Sequence, residues 1–277
     1  MPSTRPRIAR ERAVTARAML ANCHLCAHHC GVNRLAGEQG LCRAGARTRF
    51  FSAQFELGDE AELSPTFAIA LSGCDLRCDF CITGRESWNP RAGDGLASIV
   101  AAEARRALAE GARSVMLLGG EPTIHLPAAL EFVAVMPGES TLVWKTNAHG
   151  SEEARELLDG MFDIWVADFK FGNDQCALRL AKAPDYGRVA RSNLRWAFAR
   201  TELIVRHLLM PGHVECCWRP IAEWLADALP RAEVSLRYAF WPAWHSWRQP
   251  ELRTTTSPAE NERAREIARE HRLNLVH

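Results

Sequence analysis

From residue 66 onward the chain alternates short apolar runs, rich in β-branched residues, with amphipathic stretches of helical period, and this restricts the fold more than any other feature. The strand candidates are Thr66–Ser72, Ser114–Leu118, Thr141–Thr146, Asp163–Asp168, Glu202–Leu209 and Glu233–Phe240. Helix candidates lie near residues 97–110, 126–134, 151–160, 187–199 and 217–228, and Ser257, Pro258 and Glu260 open a last one at 258–271. Six strands alternating with helices imply an α/β fold with a parallel sheet, closed or partly closed into a barrel. A flat doubly wound sheet is the alternative.

Polar and glycine-rich residues gather at the C-terminal ends of these runs. They are the cysteines of 74–81, Gly119-Gly120-Glu121-Pro122, Lys145 and Asn147, Asp168 and Lys170, and Arg206-His207. Loops at that end of a parallel α/β barrel form its mouth, so these residues are expected to face one cavity. Asp168 and Lys170 stand two apart on a strand and share a face.

Upstream, residues 1–21 read as a basic lead-in, and 22–62 as a loop-rich, cysteine-bearing extension of the 63–277 barrel. The first twelve residues are Arg-rich without the apolar core of a signal peptide, and no run approaches the roughly 18 apolar residues of a membrane span. With 34 basic against 33 acidic residues, no global field points to nucleic acid or an anionic membrane. The expectation is a cytoplasmic protein. Ten cysteines would suit disulfides in an exported chain, but seven of them fall in two tight clusters. Such spacing suits thiolates converging on metal in a reducing compartment.

In Cys74-Asp-Leu-Arg-Cys78-Asp-Phe-Cys81, three thiols lie within eight residues of a loop just after the first strand run. Cubane iron–sulfur clusters normally take four cysteines, so three local ligands leave one iron open for chemistry. The bland alternative is a zinc knuckle, or a cluster completed by a distant cysteine such as Cys176.

The triad with Phe80 resembles the signature of the radical S-adenosylmethionine (AdoMet) superfamily. The resemblance implies a partial (β/α)6 barrel, a [4Fe–4S] cluster on Cys74, Cys78 and Cys81, and AdoMet chelated at the open iron. Reductive cleavage would then give methionine and a 5′-deoxyadenosyl radical that abstracts hydrogen from substrate. Gly119-Gly120-Glu121-Pro122 looks like the family's glycine-rich AdoMet motif, and Lys145 and Asn147 fall at the next strand end, beside the expected AdoMet site. Trp165-Val-Ala-Asp168-Phe-Lys170 and Arg206-His207-Leu-Leu-Met-Pro211-Gly212 resemble strands four and five of the pyruvate formate-lyase activating enzymes. There the matching Asp, Lys and Arg line the cavity, which implies catalytic roles for Asp168, Lys170 and Arg206. The similarity covers roughly residues 22–245 and is nearest a related branch with an extra N-terminal cysteine motif. This chain has Cys26-Ala-His28 where that branch commonly shows Cys-Pro-Arg, and Ile82-Thr83 where it shows Gln-Asn. Both departures bear on the substrate and leave the AdoMet chemistry intact. The implied partners are a protein or peptide substrate, as in glycyl-radical activation, and a flavodoxin- or ferredoxin-type reductant. A small metabolite or ribosomal peptide is the rival substrate, and a non-catalytic electron-transfer protein the rival class.

Cys23, Cys26, Cys30 and Cys42 supply four thiols, enough to saturate a second metal site, either structural zinc or an auxiliary iron–sulfur cluster. Cys216-Cys217 reads as a pair of small buried residues and Cys176 as a lone loop thiol. The stretch Trp241-Pro-Ala-Trp244-His-Ser-Trp247 reads as core packing at the end of the last strand, with an aromatic wall for a peptide as the alternative.

Overall fold

The computed structural model describes residues 4–57, 60–91, 93–95 and 98–276. Residues 1–3 of the expected lead-in and Ala97, at the start of one helix candidate, lie outside that set. The strands are β1 (Arg49–Glu56), β2 (Thr66–Leu71), β3 (Asp94–Gly95), β4 (Ser114–Gly119), β5 (Leu142–Thr146), β6 (Ile164–Asp168), β7 (Glu202–Leu208), β8 (Glu233–Arg237) and β9 (Asn274–Leu275). They form one sheet in the order β3-β1-β2-β4-β5-β6-β7-β8-β9. From β2 to β9 every pairing is parallel, whereas β1 runs antiparallel to both β2 and β3. The six expected strands are all present, within three residues of their expected ends. β1 was not expected, because Phe50, Phe55 and polar residues on a half-exposed strand make no continuous apolar run.

The helices are α1 (Arg5–Ala18), α2 (Gly84–Trp88), α3 (Ser98–Ala109), α4 (Leu126–Val133), α5 (Glu152–Leu158), α6 (Asp174–Ala181), α7 (Tyr186–Phe198), α8 (Arg219–Ala228) and α9 (Pro258–Glu270). The lead-in is therefore ordered helix: Ala9, Ala13 and Ala16 form a small-residue stripe that lets α1 lie close on α4. Arg5 ties its start to Asp163 at 2.7 Å and to the Gly138 carbonyl at 2.6 Å. Ser257 and Glu260 close a reciprocal capping box at the start of α9, as its sequence predicts.

Strand side chains alternate between two faces. Val115, Leu117, Trp144, Trp165, Val205 and Val234 pack into the main core with the helices. The other face carries a separate apolar cluster of Met116, Val143, Ile164, Val166 and Ile204, joined by Leu63. Among the described residues no α-helix contributes to that second cluster, as on the inner face of an open, partial barrel. Toward the C-terminal strand ends the same inner face turns from apolar to charged, at Lys145, Asp168, Arg206 and Arg237.

Candidate active site

The triad loop leaves β2 and is held from outside by α6. The backbone N–H groups of Arg77 and Asp79 donate to the carbonyls of Ala181 and Leu180, each at 2.9 Å. Orphan carbonyls at a helix C-terminus are thereby used to fix a loop. Cys74 and Cys78 are buried and Cys81 is partly exposed. Burial pushes the Cys78 thiol up to about 12 against the opposing pull of the Lys170 ammonium, which therefore stands near the triad. Among the described residues, the triad sulfurs do not form a group within 4.8 Å, the spacing around a single ion. Three thiols are also one short of the four that a closed structural zinc site takes. Phe80 lies behind the loop, its ring 6.1 Å from those of Phe171 and Phe240.

Asp75, between the first two triad cysteines, is fully buried and organises the next shell. Its carboxylate accepts from Asn147 Nδ2 at 2.7 Å and meets His149 Nδ1 at 2.8 Å. Burial opposes both charges, yet each partner stabilises the other's charged form, so the Asp75 carboxyl falls and the His149 imidazole rises from its ordinary value. Asn147 also points Nδ2 at Cys74 Sγ, 3.7 Å away. Neither Asp75 nor His149 was singled out from the sequence, since one charged residue inside a loop carries no spacing signal.

Gly119-Gly120-Glu121-Pro122 closes the same region from β4. A Cβ on Gly120 would sit 1.7 Å from the Gly73 carbonyl oxygen, and one on Gly119 would sit 2.3 Å from the Leu71 nitrogen. The glycines are thus required by backbone packed on backbone. Glu121 turns inward, accepting from the Thr123 N–H at 3.0 Å, Thr146 Oγ1 at 2.8 Å and the Asn147 N–H at 2.7 Å. Burial, then the Asp75 charge, pushes its carboxyl up to about 7.

Asp168, Lys170 and Arg206 do come together. Lys170 Nζ donates to Asp168, and Arg206 Nε is 3.9 Å from the same carboxylate. Burial resists ionisation of Asp168, but the two cations outweigh it and hold its carboxyl below the ordinary value. Lys145 lies nearby through a shared partner that the sequence did not reveal. Glu60, from the β1–β2 connection, has a fully buried side chain that accepts from Ser235 Oγ at 3.1 Å and Arg237 at 3.2 Å. Arg206 lies 3.5 Å and Lys145 Nζ 4.0 Å from the same carboxylate.

The cysteine-rich extension docks on this assembly. Cys26 bridges to Gly150, and the Ala27 N–H donates to the His149 carbonyl at 3.0 Å. His28 Nε2 lies 3.1 Å from the Asp75 carbonyl oxygen. Cys23, Cys26 and Cys42 are buried and Cys30 is exposed; no three of them stand at single-ion spacing. A cavity of about 230 Å³ lined by Arg17, Arg34, Arg47 and His125 lies between α1, this extension and α4, apart from the triad.

Three readings are corrected. Cys176 is no loop thiol: it lies in the first turn of α6, buried, and meets His213, Cys216 and Cys217. Cys217 is buried, but Cys216 is exposed. The tryptophan stretch is not core, because Trp241 is 70% and Trp247 61% exposed. Trp244, also 39% exposed, lies against Trp88 and over Gly84, just past Cys81.

The profile of the Radical SAM superfamily matches residues 69–225, from β2 into α8. The chain belongs to the radical SAM superfamily. Its implied cofactors are a [4Fe–4S] cluster and AdoMet, and its implied chemistry is that of a radical enzyme. The three-thiol loop fits the cluster in donor type and count. An uncharacterized protein of Methanocaldococcus jannaschii is 30% identical over 277 aligned residues, covering 95% of this chain and 78% of that one. Among solved structures, Streptococcus suis SuiB bound to its precursor peptide SuiA superposes with a TM-score of 0.54 at 15% identity. That match covers 73% of this chain and 46% of SuiB, so the chain spans under half of that protein. A domain of pyruvate-formate lyase-activating enzyme from Bacteroides vulgatus gives a TM-score of 0.46 at 17% identity, over 59% of this chain and 97% of that one. The superposition on SuiB shows a shared fold at low identity. No described helix is long and apolar enough to cross a membrane.

Proposed function

We propose that this chain is a radical SAM enzyme acting on a protein or peptide, with Cys74, Cys78 and Cys81 as the cluster ligands. When bound, the cluster and AdoMet supply a 5′-deoxyadenosyl radical that takes a hydrogen atom from substrate. The observation that carries the reading is the buried three-thiol loop, facing Lys170 and fixed by α6 on one side and by Asp75, Asn147 and His149 on the other.

The remaining roles belong to this chain's residues. Glu121 holds Thr146 and the Asn147 backbone in place, so the floor beside Cys74 is rigid and excludes water. Asp168, Lys170, Arg206 and Lys145 give the strand ends beside the triad fixed charges that suit the carboxylate and amino groups of an amino-acid-like ligand. A macromolecular substrate is favoured by exposed tryptophans: Trp241 is 70% exposed, and Trp247, 61% exposed, lies with its ring 6.4 Å from that of His245. His245 ties this segment to the triad loop by donating its N–H to the Asp79 carbonyl at 2.8 Å. SuiB, which shares the fold, is bound to a precursor peptide in its own structure, and that supports a peptide substrate. Ten free thiols agree with a reducing cytoplasm, where a flavodoxin- or ferredoxin-type protein would supply electrons.

The test is electron paramagnetic resonance on anaerobically reconstituted protein, with a Cys74/Cys78/Cys81→Ala variant alongside. A reduced cluster signal that shifts with AdoMet, disappears in the variant and accompanies 5′-deoxyadenosine release is expected. A signal indifferent to AdoMet, or zinc at the triad, would sink the proposal. Deoxyadenosine release stimulated by small metabolites but by no peptide or partner protein would overturn the macromolecular substrate alone.

A further inference from the structure

We infer that Cys176, His213, Cys216 and Cys217 form a closed mononuclear zinc site, separate from both cysteine clusters read from the sequence. The four ligand atoms all lie within 4.8 Å of one another. His213 Nδ1 is 3.3 Å from Cys216 Sγ, 3.6 Å from Cys176 Sγ and 3.7 Å from Cys217 Sγ, and the vicinal sulfurs are 4.0 Å apart. A tetrahedral zinc with Zn–S near 2.3 Å and Zn–N near 2.05 Å sets ligand atoms roughly 3.6–3.8 Å apart. The set therefore has the edges of a zinc tetrahedron with Cys3His composition. A cubane would need sulfurs spread over separate irons, and this group is too compact for one.

The surroundings are built for the same purpose. His213 and both vicinal cysteines are presented by the loop after β7 and a single π-helical turn, Val214–Trp218, a local widening that recurs at functional sites. The facing loop approaches so closely that a Cβ on Gly172 would lie 2.2 Å from the Cys217 carbonyl oxygen. Asn173 caps α6 by accepting from the Cys176 N–H at 2.8 Å, and directs Nδ2 at Cys176 Sγ (3.3 Å) and Cys217 Sγ (3.7 Å). The far nitrogen of His213, buried and without a hydrogen-bond partner, faces Glu251 Oε1 at 3.7 Å. Arg179 holds that carboxylate at 2.6 Å. A carboxylate behind a ligating imidazole is the usual outer brace of a zinc histidine.

The position gives the site its consequence. It clamps the loop after β6 to the loop after β7 at the start of α6, the helix whose last carbonyls hold Arg77 and Asp79 of the triad loop. The zinc would act as a staple for the helix that supports the catalytic loop.

The experiment is zinc, iron and sulfide analysis of the full-length protein, purified without oxygen from medium containing both metals. Wild type is compared with Cys216→Ala and with Cys23→Ala. One equivalent of zinc per chain should be lost in Cys216→Ala and retained in Cys23→Ala. Because a variant can misfold, wild type alone is also treated with iodoacetamide before and after chelation, with the modified cysteines mapped. Exposed Cys216 should be protected until zinc is removed. Equal zinc in wild type and Cys216→Ala, or equal Cys216 alkylation with and without chelation, would overturn the site. Iron and sulfide lost with Cys216 in place of zinc would do the same. None of these readouts depends on AdoMet cleavage.

Discussion

At the scale of single residues, the site is set by how little room the backbone leaves around the triad loop. Gly120→Ala drives a methyl onto the Gly73 carbonyl, where no flexible side chain can yield, and is expected to cost about 2–4 kcal/mol. Gly45→Ala, whose Cβ meets nothing within 4 Å, should stay within about 0.5 kcal/mol of wild type in the same urea titration. Asp75→Ala strips two buried donors, Asn147 Nδ2 and His149 Nδ1, of their acceptor, at a cost of about 3–5 kcal/mol. Asp75→Asn keeps one acceptor oxygen and should lose less; equal losses would show that the charge, and not the bond to Asn147, matters. The triad and the Gly-Gly-Glu-Pro run were legible because their residue types and spacing are rare together. Asp75 and His149 were not, because their meeting across 74 positions is a product of the fold.

Among the elements, the six inner parallel strands were legible because burial on both faces demands continuous apolar, β-branched runs. β1 and α6 were missed for opposite reasons: β1 is half-exposed and mixed in character, and α6 has only eight residues. α6 is nonetheless the element that joins the cysteine–histidine cluster to the triad loop, and missing it left Cys176 without a context. β7 carries a pH-dependent weakness of its own. His207 is buried, donates Nδ1–H to the Phe169 carbonyl at 2.7 Å and stacks on Trp218. Burial holds its imidazole neutral, down to about 4 from the ordinary 6.5. Between those values the unfolded chain binds a proton that the folded chain refuses. Stability contributed by neutral His207 is therefore complete above pH 6.5 and lost as pH falls toward 4, by roughly 3 kcal/mol. His207→Phe keeps the stack and removes the titration, so its urea midpoint should fall less than that of wild type between pH 7 and 4.5. Parallel profiles would assign the acid loss to other groups.

For the whole molecule, the inner face is a layered interior. Leu63, Met116, Val143 and Ile204 fill its lower part, and a charged layer lies above, next to the triad. The layer is neutralised from two sources: Asp168 on β6, which the sequence pattern placed, and Glu60 on a connection with no periodicity. A chain read as one strand after another cannot show that the β1–β2 connection sends a carboxylate into the middle of the sheet, so this half of the electrostatics was invisible beforehand. Glu60→Leu should leave the half-buried Arg237 beside Arg206 and Lys145 without its shared counter-charge, at about 1–3 kcal/mol. The argument requires coupling as well as loss. Arg237→Met in the Glu60→Leu background removes the stranded cation, so the double variant should be more stable than Glu60→Leu alone, with a double-mutant-cycle coupling of at least about 1 kcal/mol. Additive losses would mean that Glu60 acts through packing of the connection, and that Arg206 and Lys145 rely on Asp168 and other groups for neutrality.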